Sequence, residues 1–212
     1  ENYEEVLLRQ YQICTRFLGG QWFKLWGYVP FFPSMSKTAD MFGKIVSSGP
    51  HSTVAPHAQL RIGAAHEKAR EYPQAVKAYT LAADRYFDRP VIAADAVYRA
   101  GISHYKQAQK AEYDQGAAGK AIAMFTDFST LFPQDRRVPD AQRRIGALKR
   151  EQARGSYEIA KFYEKNHRLA GAVIYYNEVQ LLDPQSPYAE ESRQRIEALK
   201  ARITGAPAPA AK

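Results

Sequence analysis

Small and apolar residues recur along this chain at helical spacing, and the pattern is written four times. Thr38-Ala-Asp-Met-Phe42, Ala75-Val-Lys-Ala-Tyr79, Ala121-Ile-Ala-Met-Phe125 and Ala172-Val-Ile-Tyr-Tyr176 each place a small residue first and an aromatic four places on. Seven places after the small residue stand Ile45, Ala82, Phe128 and Val179. Offsets of four and seven mark one face of an α-helix. Twelve places on, Pro50, Pro133 and Pro184 close three of the helices, and the remaining one reaches Phe87 with Pro90 just beyond. The copies start 37, 46 and 51 residues apart, which is the mark of a helical repeat.

The same periodicity predicts helices over about 3–18, from Ser34 or Ser36 to about Ser48, and over about 54–70, 73–86, 91–109 and 118–132. Another starts near Pro139 and runs to His167, and two more cover about 169–182 and 187–203. Gly19-Gly20 stops the first helix. After it comes a stretch, Trp22–Pro33, holding Trp22, Phe23, Trp26, Tyr28, Phe31 and Phe32 with Pro30 and Pro33, so a continuous helix is not expected there. Lys110-Ala-Glu-Tyr-Asp-Gln-Gly is an enlarged loop between two helices of one pair. The expected organisation is an N-terminal helix with an aromatic-rich irregular insertion (1–34), a repeat array closed by a capping helix (35–203), and a disordered Ala/Pro tail (204–212).

The first helices of the pairs share a second signature: Ala58-Gln-Leu-Arg-Ile-Gly63, Ala96-Val-Tyr-Arg-Ala-Gly101 and Ala141-Gln-Arg-Arg-Ile-Gly146, with a degenerate copy at Ser192–Glu197. Glycine inside a helix is unfavourable, so its return at one register predicts close approach of a second helix. No strand pattern precedes any copy, which argues against a phosphate loop.

Composition narrows the function classes. Hydrophobic residues make up 45%, enough for a packed core. No apolar run approaches the roughly 18–20 residues that span a bilayer. The chain opens at Glu1 rather than Met and is expected to be a processed or truncated form. Cys14, the single cysteine, sits in a helical pattern and is expected to be a buried, small hydrophobe. The net charge of +8 favours acidic partners. Its densest basic run is Arg136, Arg137, Arg143, Arg144, Lys149, Arg150 and Arg154, which reads as the solvated face of a long helix or as a dock for an acidic partner; nucleic acid rests on charge alone. The histidines at 51, 57, 66, 104 and 167 are scattered without metal-ligand spacing, and no nucleophile, phosphate-loop or zinc motif is present. A non-catalytic protein without cofactor, metal or small-molecule substrate is therefore expected.

These residues resemble the tetratricopeptide repeat, a helix–turn–helix unit of 34 residues. Residues 56–89 fit its frame with Ile62, Gly63, His66, Ala75, Tyr79 and Ala82, and residues 153–186 with Ile159, Ala160, Tyr163, Ala172, Tyr176, Val179 and Pro184. His66 and His104 fall at the repeat's usual tyrosine position and are expected in the core. The implied fold is all-α: a tetratricopeptide-repeat (TPR) right-handed superhelix of antiparallel helix pairs. Within that superfamily the chain is similar to the outer-membrane assembly lipoproteins of the BamD/ComL type. Ala141–Lys149, Ile159–Lys165, Ala172–Val179, Asp183–Glu191 and the loop pair Asp114-Gln115 carry the likeness. It differs from that family in showing four repeats plus a terminal helix where five are usual, and in the Trp22–Pro33 stretch.

The resemblance implies a lipid-anchored scaffold on the periplasmic side of the outer membrane, with an anchor not visible in this chain. Its implied partners are the barrel-insertion machinery and unfolded outer-membrane protein segments, received in a TPR groove. Groove-facing positions in the family frame are Leu60, Glu67, Lys68, Tyr98, Tyr105, Lys106, Tyr157 and Lys161, and the docking helix would present Arg143, Arg144, Lys149, Arg150 and Arg154. Aromatic and basic side chains there suit a segment that alternates aromatics and ends in a carboxylate. A periplasmic TPR adaptor of cell division or envelope maintenance is the alternative, although that class tends to carry a coiled coil and no sustained heptad precedes the repeats. A generic protein-binding or basic nucleic-acid-binding module is a third. The Trp22–Pro33 stretch reads as a cap over the first helices, as an exposed partner or membrane-interface patch, or as a ligand pocket.

Overall fold

A computed structural model describes residues 2–21, 23–25, 29–31, 34–110 and 115–204. Its elements are α1 (Asn2–Leu18), β1 (Phe23–Leu25), β2 (Val29–Phe31), α2 (Met35–Ser48), α3 (Ala55–Lys68), α4 (Tyr72–Arg85), α5 (Pro90–Lys110), α6 (Gln115–Leu131), α7 (Val138–Lys165), α8 (Leu169–Leu182) and α9 (Pro187–Thr204). The class is all-α and TPR-like, with helices packed in adjacent pairs. Two compact units are present, Glu1–Ala141 and Gln142–Lys212.

Local chemistry sets the helix ends. Ser34 caps α2, its hydroxyl accepting from the Lys37 amide at 3.2 Å. Pro56 and Pro73 stand in the first turns of α3 and α4, and Pro90 and Pro187 open α5 and α9, where a missing N–H leaves no bond unmade. Arg70 and His167 take left-handed backbone, φ 62° and 57°, in the short turns before α4 and α8.

In the first unit, Leu7, Cys14 and Leu18 of α1 pack with Ala39, Phe42, Ile45 and Val46 of α2 and with Ala58 and Ala65 of α3. Leu60 of α3 joins Ala75, Tyr79 and Ala82 of α4 and Ile92, Ala96 and Ala100 of α5. In the second unit, Ala153, Tyr157 and Ala160 meet Ala172, Tyr176 and Val179 of α8 and Ile196 and Leu199 of α9. The repeated aromatics Phe42, Tyr79, Phe125 and Tyr176 are at most 1% exposed. Burial of each such ring contributes about 1.5–3 kcal/mol.

The glycine register explains how the pairs close. A Cβ on Gly63 would lie 2.5 Å from the Tyr79 ring, and one on Gly101 would lie 2.8 Å from Phe125. The aromatic of each second helix thus rests on the glycine of its first. Gly146 departs from the expectation, since nothing lies within 4 Å of its Cβ position. In the long α7 the residue buried in the core with Tyr176 is instead Ala160, fourteen residues or about four turns further along the helix.

Two further expectations change. Within Trp22–Pro33, β1 and β2 pair as an antiparallel hairpin with Phe23 opposite Phe31 and Leu25 opposite Val29. Trp22, Trp26, Tyr28, Phe32 and Pro33 lie outside the described residues, as do Asp114 of the enlarged loop and residues 205–212 of the tail. Arg136 and Arg137 precede α7 rather than lying on its solvated face, and the Arg137 side chain is only 25% exposed. Carboxylates on two sides draw it inward, as described next.

Candidate functional site

The turn before α7 and the first turns of α5 build a charged hub in the first unit. Arg137 donates from Nη1 to Asp95 Oδ1 at 2.6 Å, and from Nε and Nη2 to the two Asp135 oxygens at 2.9 and 2.7 Å. Its own backbone amide also reaches Asp135 Oδ1 at 2.9 Å. Asp95 Oδ2 takes a further bond from Arg99 Nε at 2.8 Å. The guanidinium lies 4.8 Å from the Tyr98 ring centroid and 5.4 Å from that of Phe128. Hydrogen bonds from Arg137 hold the Asp135 carboxyl below its ordinary 3.8. Tyr98 completes the hub, donating to Asp140 Oδ2 at 2.6 Å while its ring packs on Phe125 and Phe128.

The hub borders a hollow of about 540 Å³ lined by His57, Leu60, Val91, Ile92, Asp95 and Asp135–Arg137. A smaller one of about 110 Å³ adjoins Tyr11, Arg61, Ala64 and Arg99 and shares His57, Leu60 and Asp95. Val91 is 81% exposed, and Arg136 is exposed. This combination of apolar wall and satisfied, rigid arginines can receive a polypeptide carrying aromatic and acidic groups.

The predicted groove positions have several different settings. Leu60 lines both hollows. Glu67 is a core anchor: it accepts from Tyr79 Oη at 3.0 Å and from Lys106 Nζ at 2.5 Å, linking α3, α4 and α5. Lys68 donates to the Leu18 carbonyl at 2.7 Å, capping the end of α1. Tyr105 accepts from Gln109 Nε2 at 2.9 Å. Tyr157 and Lys161 belong to the second unit, where Tyr157 is buried against Tyr176 and Tyr188 and Lys161 Nζ lies 5.3 Å from its ring centroid. Among the basic positions, Arg143, Lys149, Arg150 and Arg154 are exposed and Arg144 is half-buried. Arg154 pairs with Glu151, and Arg150 stands 3.8 Å from Asp183.

Asp95, Arg99, Asp135 and Asp140 were not among the sequence-predicted site residues, and Arg137 was expected only as part of the basic run. Their signal is weak in one dimension, because Arg137 meets Asp95 across 42 residues. Among the described residues no group of three or more His, Cys, Asp or Glu could hold a metal ion. Cys14 is buried, and burial raises its thiol pKa. His66 Nδ1 lies 2.8 Å from Glu71 Oε2. His104 is half-buried with an unpartnered Nδ1, and burial followed by the Lys120 charge lowers its pKa. No helix among the described residues is long and apolar enough to cross a membrane.

No curated protein matches the chain. Residues 33–191 match the family model YfiO, described as outer membrane lipoprotein; with three quarters of its length inside that match, the chain belongs to this family.

Proposed function

We propose that this protein is a non-catalytic scaffold of the BamD type, working on the periplasmic side of the outer membrane in β-barrel assembly. A lipid anchor upstream of the repeats would hold it there. The observation that carries the reading is the hollow between α3 and α5, with Leu60 and Ile92 as its apolar wall and Arg99 and Arg137 fixed beside it by Asp95. An arginine held by carboxylates is pre-organised, so a peptide bound beside it loses little side-chain freedom on docking. An unfolded barrel segment that alternates aromatics supplies rings for the wall and a terminal carboxylate for exposed Arg136. The exposed basic positions Arg143, Lys149, Arg150 and Arg154 of α7 are assigned to a separate dock for an acidic face of the assembly machinery.

Affinity capture from native envelopes in gentle detergent tests this. Recovery of an outer-membrane barrel protein with periplasmic domains is the expected result, and its absence would refute the proposal. Lys149→Glu with Arg150→Glu should reduce that recovery about tenfold without changing the melting temperature, since both side chains are exposed and the Arg150 contact with Asp183 is long. Unchanged recovery would remove α7 as the dock.

A further inference from the structure

Gly43 and Gly63 both stand inside helices, and only one of them has a packing reason to be glycine. A Cβ on Gly63 would strike the Tyr79 ring, whereas nothing lies within 4 Å of the Cβ position of Gly43. Glycine inside a helix is less favourable than alanine by about 1 kcal/mol, and no neighbour of Gly43 requires it. Gly43 instead lines a hollow of about 720 Å³ in the first unit. The lining comes from α2, the α2–α3 turn, α3 and the end of α4 with the turn after it. It shares no residue with the two hollows beside Leu60. Val46, Pro50 and Ile62 give it an apolar wall, and a few polar groups join them, which is the make-up of a small-molecule site of ordinary volume.

Those polar groups are left over from the folding of the chain. Tyr86 lines the hollow, is 6% exposed, and its hydroxyl has no hydrogen-bond partner among the described residues. A buried phenol without an acceptor is unfavourable, so it points to a partner that the protein does not supply. Arg85 and Arg89 are exposed, and among the described residues neither has a carboxylate within ion-pair distance. They differ in this from Arg99 and Arg137, which Asp95 holds. Asp88 is the single carboxylate in the lining, so the two guanidiniums leave it net positive.

The chemistry of the wall selects the occupant. A guanidinium binds carboxylate or phosphate through paired hydrogen bonds. An apolar wall beside it favours an anion that carries hydrocarbon, because burying that hydrocarbon removes it from water. A bare inorganic ion would use neither Val46 and Ile62 nor the space left at Gly43. We infer that this hollow binds a small anionic amphiphile, with its carboxylate or phosphate head on Arg85 and Arg89 and its tail along Val46 and Ile62, where Gly43 leaves room for it. The hollow is separate from the groove beside Leu60, so the peptide and the assembly role do not enter.

Titration calorimetry of the full chain with octyl phosphate and with sodium octanoate, each below its micelle-forming concentration, tests this. Binding of at least one at a single site is expected, and the tighter of the two identifies the head group. Inorganic phosphate lacks the tail and octyl glucoside lacks the charge, so each should bind at least tenfold more weakly. Arg85→Gln with Arg89→Gln should weaken the amphiphile tenfold or more and leave the melting temperature unchanged, since both side chains are exposed. Gly43→Leu places a side chain in the hollow and should weaken binding likewise. It should melt no lower than the parent, because leucine is the better helix former and its Cβ meets open space. Failure of both amphiphiles to bind would overturn the inference. So would binding that neither variant weakens, or inorganic phosphate that binds as tightly as octyl phosphate, since surface charge alone would then account for it. Envelope capture in detergent scores the scaffold role independently, so the two failures are separable.

Discussion

The α3–α4 pair of the first unit and the α7–α8 pair of the second stand 97 residues apart, as Ala75 and Ala172 show, and share one device. A buried tyrosine of the second helix donates to a glutamate twelve residues earlier: Tyr79 to Glu67 at 3.0 Å, Tyr176 to Glu164 at 2.9 Å. Each glutamate also meets a cation from the following helix, Lys106 at 2.5 Å and Arg195 at 3.5 Å. The connecting turns match as well. Arg70 and His167 are both left-handed, and the next amides bond back to His66 and Tyr163 carbonyls at 2.9 and 3.0 Å. The α5–α6 pair uses Phe125, which has no hydroxyl to satisfy. The pairs differ in how closely the helices approach. Gly63 lies under its ring with no room for a Cβ, whereas Ala160 carries one and is fully buried. What recurs is the satisfied hydroxyl, because an unpaired buried phenol is unfavourable; the distance between helices is adjusted pair by pair.

The largest effect should come from erasing that difference in approach. Gly63→Ala is expected to lose about 1–3 kcal/mol by driving a methyl into the Tyr79 ring, even though alanine is the better helix former. Gly146→Ala, with open space at its Cβ, should gain up to about 1 kcal/mol. Thermal melts of the two variants would move in opposite directions, and equal shifts would mean that the glycine register carries no packing.

Removing the hydroxyl tests what is shared. Tyr79→Phe and Tyr176→Phe should each cost about 1–2 kcal/mol, by the loss of a hydrogen bond to a carboxylate. Burial and the neighbouring Glu67 raise the Tyr79 phenol above 10.0, and burial with the Glu164 bond raises Tyr176 likewise. A raised folded pKa adds stability that is fully present below the unfolded value near 10 and is lost as pH rises toward the folded one. Denaturant unfolding followed from neutral pH to about pH 11 should therefore show an alkaline decline, and each Tyr→Phe variant should flatten it. Tyr157, raised by burial and by Glu191, adds a second such group to the later unit. Its replacement should flatten the decline further there.

The smallest effect belongs to the turns. Arg70→Gly and His167→Gly relieve left-handed backbone but loosen the unfolded chain, so each should change stability by no more than about 1 kcal/mol, upward on balance. A loss of more than that in one variant alone would show that its side chain, and not its backbone, fixes the turn.

Much of the architecture was legible in one dimension. The helix ends fall within a few residues of their expected places, and the close approach read from Gly63 and Gly101 is present. Gly146 misled because α7 runs on through a second repeat register, which a local pattern does not reveal. The candidate site was less legible. Glu67 and Lys68 carry the right residue types for a groove, yet one anchors Tyr79 and the other caps α1. Arg137 read as part of an exposed basic run until Asp95, distant in sequence, was brought beside it.

The amino-acid sequence by itself determined where helices begin and end, which stripe of each is buried, and that the unit repeats. Those properties depend on neighbours three to twelve positions away and on residues such as Pro56, Ser34 and Ala75 that act locally. Only the tertiary structure decided which charged side chains are spent inside the protein and which remain for partners. A charge is drawn to whatever opposite charge the packed helices deliver within a few ångströms, and that meeting is set by packing between helices rather than by spacing along the chain.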